Sequence, residues 1–115
     1  VLGSRGLGDV YKRQIFRVPF VYVPDLAPVL EQMHAKGIYT YAAHLKGQEY
    51  YDSFSFREPT AFLIGNEGNG LSKEISDQAG QYLKIPMEGR VESLNASIAA
   101  ALLMYEAHRQ RSARL

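Results

Sequence analysis

Residues 61–64, Ala-Phe-Leu-Ile, form a short apolar run that passes without a spacer into Gly65-Asn-Glu-Gly-Asn-Gly70. A strand apolar on both faces needs cover on both, which is the situation of a parallel sheet held between helices. Upstream, residues 18–23 are β-branched and aromatic and stop at Pro24-Asp25, which predicts a strand followed by an Asp-capped helix. Leu26, Val29, Leu30 and Met33 then recur at helical spacing up to Gly37, so a helix is expected over residues 25–36, and residues 38–43 read as a second strand. A strand, a helix and a strand in that order favour an α/β class with a parallel sheet and flanking helices.

Residues 44–59 are polar, dotted with aromatics and aperiodic, and are expected to be an irregular excursion. Beyond the glycine turn, Ser72 should cap a short helix that Gly80 ends, and residues 82–85 should form a strand stopped by Pro86. Ser93 can cap a long last helix whose Leu94, Ile98, Ala101, Leu102 and Tyr105 line one face.

Composition narrows the function classes. The 115 residues include no Cys, which excludes a disulfide scaffold, a Cys-ligated zinc site and a Cys nucleophile together. At 46% hydrophobic residues the chain can bury a core, yet its longest apolar stretch, residues 98–105, is far short of the roughly 20 needed to span a bilayer. His34, His44 and His108 share no ligand spacing, so no metal is expected. A cytoplasmic-type globular domain follows.

The first fourteen residues stand apart. Asp9-Val-Tyr-Lys-Arg-Gln14 is the translation of a transposon-end sequencing adaptor, so residues 1–14 are expected to be read-through rather than native sequence. Removing Arg5, Lys12, Arg13 and Asp9 leaves ten basic and eleven acidic residues in the expected domain, residues 15–115.

The order of the glycines, Gly65-x-x-Gly68-x-Gly70, is the reverse of the dinucleotide fingerprint, and no Lys-Ser/Thr follows as a phosphate loop requires. A generic nucleotide-binding enzyme is therefore disfavoured. The segment Phe62-Leu-Ile-Gly-Asn-Glu-Gly-Asn-Gly-Leu-Ser72 resembles the second motif of the SpoU/TrmH family of RNA methyltransferases. Ile85-Pro-Met-Glu-Gly-Arg-Val-Glu-Ser-Leu-Asn-Ala-Ser-Ile-Ala-Ala-Ala100 resembles the third, and Leu103-Met-Tyr-Glu-Ala-His-Arg109 is similar to the terminal helix.

That resemblance implies a trefoil-knotted α/β fold, a homodimer, and transfer of a methyl group from S-adenosylmethionine to a ribose 2′-hydroxyl of tRNA or rRNA. A 2′-hydroxyl is a poor nucleophile, so such an enzyme must align it with the sulfonium methyl and help remove its proton. The implied catalytic set is Glu67, which would orient the loop, Asn95, which would position substrate or catalytic groups, and Ser93. The implied cofactor set is Leu63, Gly65, Asn66, Gly68, Gly70, Ile85, Met87 and Leu94, largely through main chain, with Ile85, Met87 and Leu94 as apolar walls. Arg90 and Arg109 could touch RNA phosphates. The family's first motif, which carries an arginine credited with helping deprotonate the ribose, should lie upstream of Ile15, so this stretch alone is expected to be weak or inactive. A non-catalytic knotted RNA-binding or dimerisation module is the alternative.

Overall fold

The computed structural model describes residues 18–44, 47–65, 70–85 and 95–112. Its elements, in order, are helix α1 (Ala27–Ala35), strand β1 (Tyr39–Ala43), a 3-10 turn (Tyr51–Ser53), strand β2 (Thr60–Leu63), helix α2 (Lys73–Gln78), strand β3 (Gln81–Leu83) and helix α3 (Ala96–Ser112). The strands form one parallel sheet in the order β2-β1-β3. Thr40 pairs with Ala61 and Ala42 with Leu63 on one side, and Ala43 pairs with Leu83 on the other.

Strand parity sorts the core into two layers, because successive side chains point to opposite faces. Ala42 and Leu63 meet Leu30 of α1 and Ile75 of α2 on one face. Tyr41 and Leu83 meet Phe56, Leu103 and Ala107 on the other, under α3. Tyr41 packs edge-on against Phe54 and Phe56 at 5.4 and 5.0 Å, and Phe56 against Phe62 at 4.9 Å. Aromatic pairs in that geometry add to the stabilisation their area alone provides. Burial, and secondarily the neighbouring Tyr39, pushes the Tyr41 phenol above its ordinary range.

Helix ends follow local chemistry. Gly37, at φ +77°, closes α1: its N–H donates to the His34 carbonyl and the Ile38 N–H to the Met33 carbonyl. That paired closure needs a left-handed residue, which glycine supplies without strain. Ser72 caps α2 by accepting the Ile75 N–H at 3.2 Å. The Thr40 hydroxyl, 2% exposed, accepts the Gly80 N–H at 2.8 Å and lies 2.8 Å from His34 Nε2, so it ties α1, β1 and the α2–β3 turn together.

Three expectations are corrected. Residues 18–23 form no strand; Val21 is 81% exposed and Tyr22 67%. Strand propensity is a fit to a pleated, half-buried surface, and among the described residues no neighbouring strand receives this segment, while Pro19 and Pro24 lack the N–H a ladder needs. The last helix starts at Ala96 after a non-helical Asn95, so Asn95 and not Ser93 is its cap. Its buried face carries Ala99, Leu103, Glu106 and Ala107, whereas Ile98 and Tyr105 of the expected core face are exposed and Ala101 and Leu102 only half-buried.

Polar side chains explain that rotation of α3. The Gln110 amide accepts the Phe56 N–H at 2.6 Å and donates to the Phe54 carbonyl and to Glu106 Oε2, each at 2.9 Å. Arg111 donates to the Phe56 and Glu58 carbonyls, each at 2.9 Å. The C-terminal half of α3 thus satisfies the backbone of the excursion by direct hydrogen bonds, and buried Glu106 is tolerated because it is paired.

Candidate active site

All three strands run the same way, so their carboxyl ends open on one edge of the sheet. β2 and β3 lie on opposite sides of β1, and the turns that leave them, at Gly65 and Ile85, flank the end of β1. Such a reversal of strand order is where open α/β sheets form a crevice for ligands.

Gly65 is fixed by contact rather than by its own dihedral angles. A Cβ at this position would fall on the Gly70 carbonyl carbon and the Leu71 nitrogen, and 2.6 Å from the Gly70 Cα. Gly70 is required for the opposite reason: it has φ +65° with open space around it. One glycine permits backbone to touch backbone, and the other permits the reversal that brings it there. At the carboxyl end of β2, Gly65 and Gly70 thus meet backbone to backbone.

The side chain of Leu63 is buried in the core with Leu30, Ala42 and Ile75, so only its main chain can serve a ligand. Ile85 is half-buried against the Tyr41 cluster and is wall and core at once. Asn95 presents Oδ1 to the Ser97 and Ile98 N–H groups, at 2.8 and 3.3 Å. Asn66, Glu67, Gly68, Met87, Ser93 and Leu94 lie outside the described residues, as does Arg90.

Arg109 is committed elsewhere. It forms a two-point ion pair with Glu106, Nε to Oε1 at 2.7 Å and Nη2 to Oε2 at 2.9 Å. It also lies fourteen helical residues beyond Asn95, about 21 Å at 1.5 Å per residue. The hydrogen bonds from Arg109 hold the Glu106 carboxyl down at about 2, helped by Gln110 and opposed by burial. Glu106 and Gln110 were not legible as structural residues, since a polar pair on an exposed helix reads as a solvated face.

A further aromatic group stands at the same edge. The His44 ring stacks on Tyr82 with centroids 4.9 Å apart, and the Tyr82 hydroxyl donates to Asp77 Oδ1 at 3.3 Å. Among the described residues no cluster of His, Asp or Glu has metal-binding geometry, and no helix is long and apolar enough to cross a membrane.

The model of the SpoU rRNA methylase family matches residues 7–105. A protein of Bacillus subtilis (strain 168), named for the TrmH family of tRNA/rRNA methyltransferases, is 38% identical over 98 residues, covering 85% of this chain and 39% of that protein. The chain therefore spans about two fifths of the length of the curated relatives it matches. The solved structure of the SpoU methyltransferase AviRb from Streptomyces viridochromogenes, in complex with the cofactor AdoMet, is similar at a TM-score of 0.78 and 37% identity, over 87% of this chain and 40% of that one. A structure described as giving insight into 2-OH methylation of C/U34 on tRNA reaches a TM-score of 0.83 at 32% identity, over 99% of this chain and 74% of that one. The parallel sheet with flanking helices is the architecture of these enzymes.

Proposed function

The chain belongs to the SpoU rRNA methylase family, and we propose on that footing that its parent protein transfers a methyl group from S-adenosylmethionine to a ribose 2′-hydroxyl of tRNA or rRNA. The observation that carries the reading is the Gly65–Gly70 neck at the carboxyl edge of the sheet, where backbone packs on backbone so closely that a Cβ on Gly65 would collide with Gly70 and Leu71. A neck without side chains leaves main-chain groups at this edge for a ligand, and a neighbour of 37% identity has been crystallised with AdoMet.

The residues fit the cofactor. Main chain of Leu63, Gly65 and Gly70 and the side chain of Ile85 would hold it, with Asn66, Gly68, Met87 and Leu94 completing the proposed set. S-adenosylmethionine supplies an electrophilic methyl on its sulfonium; the chain's residues supply alignment and an environment for the nucleophile. Glu67 would orient the glycine loop. Asn95, with its Oδ1 fixed by the first turn of α3, sets the orientation of its amide toward substrate or catalytic groups. Ser93, two residues earlier in the sequence, would be the third member of the catalytic set.

The parent acts as a homodimer in the cytoplasm, with the outward stripe of α3 as contact. Ile98, Met104 and Tyr105 are exposed there, beside half-buried Ala101 and Leu102. The trefoil threading belongs to the same reading. The test is transfer of tritiated methyl from S-adenosylmethionine to tRNA and rRNA by the parent protein, followed by alkaline hydrolysis. Label in alkali-resistant dinucleotides is expected, and label confined to bases would contradict the 2′-hydroxyl as acceptor.

A further inference from the structure

In the excursion between β1 and β2, which the methyltransferase reading does not use, residues 47–58 are anchored by hydrogen bonds and present an exposed aromatic just beyond β3. Gly47 lets it turn tightly against β3: a Cβ there would be 2.9 Å from the Leu83 carbonyl carbon. The Lys84 N–H donates to the Glu49 carbonyl and the Tyr51 N–H to the Lys84 carbonyl, each at 2.9 Å. Tyr50 is thereby bridged in parallel to Lys84, as a one-residue extension of the sheet beyond β3. Downstream, Gln110 and Arg111 anchor Phe54, Phe56 and Glu58 to α3. Backbone is therefore fixed on both sides of Tyr50, while the residue itself is 48% exposed.

Its position is informative. Bridged residues of a parallel pair point to the same face, and residues two apart on a strand do so as well. Tyr50 thus shares a face with Lys84 and Tyr82, one side-chain step beyond the His44–Tyr82 stack, and Lys84 adjoins Ile85 of the flanking turn. An aromatic ring on anchored backbone, bridged to a lysine and on the same sheet face as a second aromatic pair, is the chemistry that receives an unpaired nucleobase. Stacking supplies the contact and the cation faces the phosphate. Fixed backbone beneath the ring also reduces the freedom lost on binding.

We propose that Tyr50, on the same sheet face as Lys84 and the His44–Tyr82 stack, forms a stacking subsite for an unpaired base of the RNA substrate at the carboxyl end of the sheet. This rests on the methyltransferase reading for the identity of the substrate and names how that substrate is gripped. Duplex RNA does not fit, because its bases are already stacked.

The test uses the full chain with a fluorescein-labelled single-stranded oligoribonucleotide of mixed sequence, its blunt duplex, and S-adenosylmethionine. Tyr50→Ala is expected to weaken single-strand binding by roughly tenfold or more, in line with aromatic-to-alanine losses at stacking sites. Tyr50→Phe should bind like the wild type, and cofactor affinity should be the same in all three proteins. Unchanged binding by Tyr50→Ala, equal loss in Tyr50→Phe, absence of single-strand binding by the wild type, or preference for the duplex would each overturn the subsite. Loss of S-adenosylmethionine binding in Tyr50→Ala would also overturn it, by placing Tyr50 in the cofactor cleft. A wild-type chain that grips RNA through Tyr50 and ignores S-adenosylmethionine would instead uphold the subsite and remove the methyltransferase reading.

Discussion

Gly65 and Gly70 touch through their backbones: the space a side chain on Gly65 would need is filled by the Gly70 carbonyl carbon, while Gly70 itself faces open space at φ +65°. The two glycines should therefore respond differently to the same substitution. Gly70→Ala meets no atom and carries the cost of a left-handed residue, about 1 kcal/mol. Gly65→Ala cannot be accommodated without opening the neck, so it should abolish detectable S-adenosylmethionine binding in a titration while far-ultraviolet circular dichroism still reports the sheet and helices. Equal effects of the two changes would mean that the neck does not shape the site.

Asn95 caps α3 with its Oδ1, and a cap can be separated from a role in chemistry. Asn95→Ala should cost about 1 kcal/mol of stability, the usual loss for an N-cap. Asn95→Asp keeps the cap oxygen and removes the amide donor, so its melting temperature should stay near that of the wild type. Methyl transfer by the parent protein should fall at least tenfold in both. Full turnover in Asn95→Asp would reduce Asn95 to a cap.

The Glu106–Arg109 pair predicts an acid limb of stability. Glu106 titrates near 2 in the folded chain against an ordinary 4.5. The folded state therefore holds its proton less tightly than the unfolded state. Its contribution is complete above about 4.5 and is lost as pH falls from there toward 2. Glu106→Gln should flatten melting temperature against pH across that window and lower it at neutral pH. An unchanged acid limb would show that other carboxylates set it.

The exposed stripe of α3 gives a test of assembly. Tyr105→Glu with Ile98→Glu places charge on a surface exposed in the single chain, where surface substitutions shift stability by no more than about 0.5 kcal/mol. In the parent protein, light scattering after size exclusion should report a dimer for the wild type and a monomer for the double variant. A dimer that survives both charges would move the interface elsewhere.

What the sequence revealed and concealed divides along a physical line. The glycine turn, the Ser72 cap and the Gly37 closure were legible because each is a local requirement of backbone geometry. The order of strands and helices followed from periodicity. The orientation of α3 did not, because Ala and Leu surround the helix and permit two stripes. The choice fell to Gln110, whose partners lie more than fifty residues away at Phe54 and Phe56, and to Glu106, which Gln110 and Arg109 pair. Residues 18–23 failed as a strand for a related reason, since a β-rich segment needs a neighbour to pair with. At the site, Gly65, Gly70 and Ile85 lie at one sheet edge and Asn95 caps the last helix, whereas the stack of His44 on Tyr82 joins residues that no motif connects.

The most direct measurement is calorimetric titration of the chain with S-adenosylmethionine and, separately, with NAD. Saturable binding of S-adenosylmethionine at one per chain, with no heat from NAD, is the expected result. Binding of NAD, or no binding of S-adenosylmethionine at a concentration that saturates a full-length relative, would contradict the assignment of the Gly65–Gly70 neck to that cofactor.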